Sequence, residues 1–134
     1  MLDDFYYWEQ AELDIKKMNE ESKCLIGKHD FTSFRSLSCG SNNPERNIKK
    51  IEINKLGNIV EIKITANAFL QNMVRIIVGT LLEIGKYQIK IPLKEILESK
   101  DRNNAGTTVK PRGLIFLGPS YENITKLKPC LLYT

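Results

Sequence analysis

The chain has 134 residues and a mass of 15.4 kDa, which is the size of one domain and excludes a second full domain. Hydrophobic residues make up 42% and charged residues 27%, so the composition is that of a globular domain that buries roughly two-thirds of its unfolded surface, and disorder is excluded as the main state. The longest apolar run, residues 73–82, is broken by Arg75 and is about half the length that spans a bilayer, and the first residues are acidic where a signal peptide is basic. We therefore expect a soluble, cytoplasmic protein.

The net charge of +4 is unevenly distributed along the chain. Residues 1–34 hold eight acids and four bases, a net charge of −4, and the remaining hundred residues carry +8. A basic body of this kind is compatible with a polyanion such as nucleic acid, to which it would bind in a salt-sensitive and sequence-independent way. Charge alone leaves this open, because many cytosolic proteins are equally basic.

Three cysteines, Cys24, Cys39 and Cys130, form neither a CxxC pair nor an even disulfide set, which is typical of a reducing compartment. A nucleophilic cysteine would need a base, and the single histidine, His29, makes that role improbable. One histidine with scattered carboxylates also lacks the spacing of metal ligands, so we expect no metal site.

Helical and strand patterns alternate in the first third of the chain. Apolar positions at helical spacing predict a first helix over residues 11–25, with Gly27 at the position that follows its end. Residues 31–37 are rich in β-forming side chains and precede a turn-prone stretch at 39–44, which predicts a strand followed by a loop.

The middle of the chain has the most regular periodicity. Residues 51–53 and 60–64 alternate apolar with polar side chains on either side of Gly57-Asn58, two residues that tolerate positive φ, and this predicts a β-hairpin. Residues 70–82 then repeat apolar side chains at three- and four-residue intervals, which predicts a long helix that packs on the sheet and ends at Gly85.

The last part of the chain predicts one more helix and one more strand, and with them the fold class. Pro92 can begin a short helix over residues 93–97, and the apolar run 114–117 is short enough for a buried central strand. We predict an α+β domain over residues 1–125, with one mostly antiparallel sheet of three to four strands and helices on one face, and a tail over residues 126–134. A ligand would lie on the open face.

Common nucleotide-binding motifs are missing from the sequence. No GxGxxG occurs, and Gly113 and Gly118 have the glycine spacing of a P-loop but are followed by Pro119-Ser120 instead of Lys-Ser/Thr. An RNA-recognition motif would carry aromatic side chains on its central strands, and the two hairpin strands have none. Nucleotide hydrolysis and an ordinary RNA-recognition motif are therefore disfavoured.

Arg75 is the most unusual residue of the long helix. It lies among side chains that favour burial, at about 200° around the helix axis from Met73, and thus away from the core stripe. Either its guanidinium extends to water, or it lines a cleft and binds a carboxylate or phosphate through two hydrogen bonds.

Other charged residues allow two interpretations as well. His29-Asp30 could be an acid–base pair, but an aspartate beside a predicted strand is more often a turn former. Arg35, Lys110 and Arg112 are either solvated charges or contacts to an RNA backbone.

Seven short motifs stand in order between about Leu13 and Tyr121: His29-Asp-Phe-Thr-Ser-Phe34, Ala66-Asn-Ala-Phe-Leu70, Met73-Val-Arg75, Ile77-Val-Gly79, Lys100-Asp-Arg102, Ala105-Gly-Thr-Thr108 and Gly113-Leu114. In order and spacing they resemble the C-terminal half of the bacterial tRNA pseudouridine synthase A family. The departures are small. Gln71 and Asn72 stand where histidines are common, and Ile76 stands where asparagine is frequent.

The resemblance implies half of a pseudouridine synthase fold and an enzyme that isomerises uridine in the anticodon stem-loop of tRNA. It implies no metal, no organic cofactor and usually a homodimer. In that family an aspartate attacks the flipped uridine, Arg75 matches the arginine that pairs with this aspartate, and Leu114 matches the apolar residue beside it. The candidate RNA contacts are then Arg35, Asn72, Lys110 and Arg112.

The nucleophile implied by the resemblance is missing from these 134 residues. The family places it in an Arg-Thr-Asp-Ala-Gly type segment of the N-terminal half, and none of the aspartates here has that context. We therefore expect a C-terminal domain, a truncated piece or a split gene product that is inactive alone and needs the missing half. Two alternatives are a non-catalytic RNA-binding module and an interaction domain that pairs through a sheet edge.

Overall fold

The computed structural model describes residues 3–9, 12–36, 42–70, 72–110 and 114–119, with only the backbone described for Asp3 and 114–119. These residues form an α+β fold with one antiparallel sheet, as predicted, in the strand order β2-β3-β4-β1-β5. The sheet has five described strands where three to four were expected. The elements are β1 (Asp3–Glu9), α1 (Ile15–Ser22), β2 (Gly27–Asp30), β3 (Glu45–Leu56), β4 (Ile59–Ala66), α2 (Met73–Gly85), α3 (Leu93–Ser99) and β5 (Leu114–Pro119).

Like β2, the strand β1 was not predicted. Its side chains alternate between the two faces of the sheet: Phe5 and Tyr7 are buried, whereas Tyr6 and Trp8 stack on each other with ring centroids 5.7 Å apart. Because all four are aromatic, the usual alternation of apolar and polar residues is invisible in the sequence. β1 lies between β4 and β5, so β5 is an edge strand of the described sheet and the prediction of a central strand there was wrong.

The first helix is shorter than predicted. The Oδ1 atom of Asp14 accepts a hydrogen bond from the backbone N–H of Lys17 at 3.0 Å and caps the helix N-terminus. A 3₁₀ turn, Lys23–Leu25, follows α1 directly. Gly27 does not end the helix as predicted; it begins β2 with a φ of +103°, which favours glycine.

The strand predicted over residues 31–37 is wrong, because β2 ends at Asp30. The Oδ1 atom of Asp30 accepts hydrogen bonds from the backbone N–H of Thr32 at 2.9 Å and from its hydroxyl at 2.5 Å. These bonds turn the chain into a 3₁₀ helix, Thr32–Phe34, and bury Phe31 and Phe34 completely. Of the two interpretations of Asp30, a turn former and a member of an acid–base pair, the structure supports the turn former.

The hairpin and the two later helices are confirmed. β3 and β4 pair around Gly57, whose φ is +63°. A bulge between Ile48 and Lys50 lets Ile48 join Ile51 in the core although the two differ in parity. α3 begins directly after Pro92.

All three helices lie on the face of the sheet that carries the buried side chains of β1, β3 and β4. Asn19 of α1 donates a hydrogen bond from Nδ2 to the backbone oxygen of Ile53 at 3.0 Å. In α2, eleven of the thirteen residues are buried, so this helix forms the centre of the core. No helix in the described part of the chain is long and apolar enough to cross a membrane.

Residues 105–110, which we call the strap, run antiparallel along α2. Side-chain and backbone atoms of the helix bind the strap's backbone at three levels: the N–H of Gly106 donates to Thr80 Oγ1 at 2.8 Å, that of Thr107 to Glu83 Oε2 at 2.5 Å, and that of Val109 to the oxygen of Arg75 at 3.2 Å. The strap is therefore fixed along nearly the whole helix.

Gly79 makes this close approach possible. A Cβ atom at position 79 would lie 1.6 Å from the backbone oxygen of Thr107 and 2.8 Å from its carbonyl carbon. At Gly85, by comparison, a Cβ would meet the Sδ atom of Met18 at 2.5 Å, and Met18 is a flexible side chain. The two glycines of α2 thus differ in whether their neighbour can move.

We expect Gly79→Ala to lower the free energy of unfolding by about 3 kcal/mol, because the methyl group would displace the strap backbone. Gly85→Ala should cost less than about 1 kcal/mol, since Met18 can change rotamer and both variants gain similar helix propensity. Urea denaturation followed by circular dichroism measures both values. Equal losses in the two variants would contradict this account of the strap.

Candidate functional site

Arg75 lies in the first turn of α2 and is half-buried. Apart from Glu83 it is the one residue of this helix outside the buried set, as its angular position predicted. Its Nε donates a hydrogen bond to the backbone oxygen of Val109 at 2.8 Å, and its Nη1 donates to Oδ1 of Asn72 at 3.3 Å. The strap and the residue before the helix therefore hold the guanidinium from two sides.

Asn72 has two roles in this arrangement. Its φ of +61° is in the left-handed region, which asparagine tolerates better than most residues. Its backbone oxygen accepts from the N–H of Ile76 at 3.0 Å, one of the first hydrogen bonds of the helix, while its side chain accepts from Arg75. Asn72 thus links the start of α2 to the orientation of the guanidinium.

Arg75 has no carboxylate partner among the residues that the structure describes. The three ion pairs of this part of the chain are Lys28–Glu45, Lys50–Glu52 and Lys100–Asp30. Both acceptors of Arg75 are neutral oxygens. Its positive charge is therefore fixed in position by neutral groups and is uncompensated within the described residues.

A polar hollow of about 630 Å³ adjoins this arginine. Asn72 lines it, whereas Arg75 does not, so one hydrogen bond separates the guanidinium from the hollow. The other lining residues lie just after the 3₁₀ helix Thr32–Phe34, in α2, in the 3₁₀ helix Arg102–Asn104 and in the strap: Ser36, Ile76, Glu83, Arg102, Asn103, Ala105, Gly106, Thr107 and Thr108.

Of the remaining predicted site residues, only some lie near the polar hollow. Arg35 is half-buried and directly precedes Ser36, which lines the polar hollow. Lys110 is exposed and lines a different hollow of about 680 Å³. Leu114 begins β5, where its backbone pairs with Tyr7, and Arg112 lies outside the described residues.

Arg102 lines the polar hollow but was not among the predicted site residues. Its Nη2 donates to the hydroxyl of Thr108 at 3.1 Å, which ties the 3₁₀ helix Arg102–Asn104 to the strap. The Lys100-Asp-Arg102 motif contained this residue, but nothing in the sequence indicated that the strap would bring it close to Asn72.

The thiol of Cys24 is not activated, although Cys24 and His29 line the same hollow. Burial and the nearby charge of Glu21 raise the pKa of its thiol to about 11. The Nε2 atom of His29, the expected base, is within 2.9 Å of the backbone oxygen of Ile26, to which it is hydrogen-bonded. The thiol is therefore protonated at neutral pH. Cys39 and Cys130 lie outside the described residues.

The raised pKa predicts the pH dependence of alkylation at Cys24. In a Cys39→Ser, Cys130→Ser variant, the rate of reaction with iodoacetamide should keep rising with pH toward about 11, because the thiolate is the reacting form. A free cysteine peptide is the control. A rate that levels off at or below the ordinary pKa of 9.0 would show that burial does not suppress the thiolate.

Comparison with known proteins assigns the family. A profile of the tRNA pseudouridine synthase family matches residues 22–122. A Francisella tularensis subsp. novicida protein and a Francisella philomiragia protein, both named tRNA pseudouridine synthase A, are 46% and 44% identical to the chain over 119 residues. Each alignment covers 88% of this chain and 46% of the relative, so the chain spans about half the length of the curated relatives it matches. The match takes in Arg75, the strap and β5, and it confirms the resemblance of the motifs: the chain belongs to the tRNA pseudouridine synthase family.

Proposed function

We propose that this chain forms one wall of the active site of an enzyme that isomerises uridine to pseudouridine in the anticodon stem-loop of tRNA, without a metal or an organic cofactor. The observation that carries the proposal is Arg75, which is held by Val109 and Asn72 and has no carboxylate partner in the described part of the chain. Family membership supports the substrate and the reaction.

The reaction requires an acid that these 134 residues do not contain in the family's sequence context. In the proposal an aspartate from an Arg-Thr-Asp-Ala-Gly segment of another part of the enzyme forms a bond to the ribose carbon that carries the uracil, and the bond from this carbon to the ring nitrogen breaks. The uracil turns, and a carbon of the ring forms the new bond to ribose as the bond to the aspartate breaks. That ring carbon then loses its proton, and the released nitrogen takes one up. Arg75 would keep the aspartate ionised, because an opposed positive charge lowers the pKa of a carboxyl group.

Leu114 would provide an apolar surface beside the aspartate and the target base. Its backbone pairs with that of Tyr7 in the sheet. Exclusion of water strengthens the attraction between an arginine and an aspartate and protects a reactive intermediate.

Binding of tRNA would rely on basic and polar groups around this wall. The target base must leave its stack to reach the aspartate, so the enzyme has to hold the flanking backbone. We assign this role to Arg35, Asn72, Lys110 and Arg112, and the net charge of +8 on the last hundred residues favours it. The proposal includes a homodimer of the intact enzyme in the cytoplasm, where tRNA is available.

A second candidate is an RNA-binding module without catalysis. The observation that favours it is the net charge of +8 on the last hundred residues, which attracts RNA whether or not a reaction follows. The two candidates differ in whether turnover appears once the second half of the active site is supplied.

Tritium release from labelled uridine in tRNA separates these candidates. We expect no release by this chain alone, and release when it is joined to the N-terminal half of the Francisella tularensis relative. In the joined enzyme, Arg75→Glu should lower turnover by roughly 10²–10³-fold, the usual effect of removing a charge-stabilising group.

The matched control is Lys55→Glu, the same charge reversal at an exposed lysine beside the hairpin turn. It should leave turnover within about twofold, since a screened surface charge contributes little. Full turnover by the chain alone, or an Arg75→Glu variant as active as Lys55→Glu, would contradict the proposal.

A further inference from the structure

The polar hollow is lined by one guanidinium, that of Arg102, and one carboxylate, that of Glu83. The amide of Asn103, which also lines it, can both donate and accept. Two of its acceptors are already engaged: Oδ1 of Asn72 accepts from Arg75, and Oε2 of Glu83 accepts from the N–H and the hydroxyl of Thr107. A ligand made of acceptors, such as an anion, therefore suits it better than one that also needs to donate.

The charges at the hollow also favour an anion, because two arginines, Arg102 and Arg75, lie in or beside it and only one carboxylate, that of Glu83, lines it. Arg102 is half-buried and has no carboxylate partner among the residues that the structure describes. Its bond to Thr108 uses one of its several N–H groups and leaves others for a ligand. Arg75 contributes a second positive charge, one hydrogen bond from the hollow through Asn72. A half-buried charge is screened by salt less than a surface charge.

We propose that the polar hollow binds a backbone phosphodiester of the RNA substrate and that Arg102 is its principal ligand. This inference rests on the proposed function for the identity of the substrate. A phosphodiester carries one negative charge and only acceptor oxygens, which fits the remaining N–H groups of the Arg102 guanidinium. A nucleobase is uncharged and would leave the charge of Arg102 uncompensated.

Phosphate binding at Arg102 would also be linked, through the strap, to the position of Arg75. Arg102 and Arg75 are both bonded to the strap, through Thr108 and Val109 respectively. A phosphate bound at Arg102 would therefore lie at a fixed distance from the guanidinium of Arg75, which in the proposed function faces the nucleophile. The strap would thereby set the distance between the bound backbone phosphate and the reacting base.

The test is the salt dependence of anticodon stem-loop RNA binding to the full 134-residue chain. Arg102→Gln should reduce the slope of log affinity against log salt by about one, with equal loss for stem-loops of different loop sequence. The matched control is Lys100→Gln, which removes an exposed lysine paired with Asp30 at 4.0 Å and outside the hollow. Its slope should equal that of the unchanged chain.

A second pair of variants leaves the Arg102–Thr108 bond intact. Asn103→Glu places a negative charge in the hollow and should weaken binding at low salt by several-fold. Asn104→Glu places the same charge on the next residue, which is also exposed but does not line the hollow, and should weaken binding less. Because both residues are exposed, both variants should fold, and thermal unfolding checks this.

Any of three results would overturn the proposed phosphate site. They are an unchanged slope in Arg102→Gln, equal effects of Asn103→Glu and Asn104→Glu, and no measurable binding of the RNA by the unchanged chain. Failure of the proposed reaction is seen separately, in tritium release by the Arg75 variants. If the salt slope does not depend on Arg102, the result on tritium release is unaffected. If turnover does not depend on Arg75, the result on the salt slopes is unaffected.

Discussion

The contact between the strap and α2 determines what the rest of this structure can do. At Gly79 the absence of a side chain lets the carbonyl of Thr107 lie against the helix, and Thr80 and Glu83 bind the strap's N–H groups. The same contact brings the carbonyl of Val109 to Arg75. An arginine that would otherwise extend into water is thereby held in one orientation by the protein backbone.

The chemical consequence is a positive charge with neutral partners. A carboxylate partner would compensate the charge of Arg75, but within the described residues only carbonyl and amide oxygens bind its N–H groups, and these leave the charge in place. A carboxylate brought against it from elsewhere would be stabilised in its ionised, nucleophilic form. The proposed active-site wall therefore rests on a fixed arginine whose partners in the described part of the chain are neutral.

The sequence predicted the elements whose two faces differ in polarity. β3, β4 and α2 follow from periodicity, and the outward direction of Arg75 follows from its angle around the helix. β1 was missed because Phe5, Tyr6, Tyr7 and Trp8 are aromatic on both faces, and the 3₁₀ helix at Thr32–Phe34 was missed because Asp30 redirects the chain through two side-chain bonds. The site depends on contacts between residues far apart in sequence, such as Arg75 with Val109 and Arg102 near Asn72, and no local pattern carries that information.

The pH dependence of turnover in the joined enzyme tests the central claim most directly. If Arg75 keeps the nucleophilic aspartate ionised, Arg75→Gln should move the acid limb of the kcat profile upward by roughly one to three pH units, since removal of an opposed charge raises a carboxyl pKa by about that amount. Lys55→Gln should leave the limb in place. An acid limb that stays at the same pH in Arg75→Gln, with turnover reduced or not, would contradict the account.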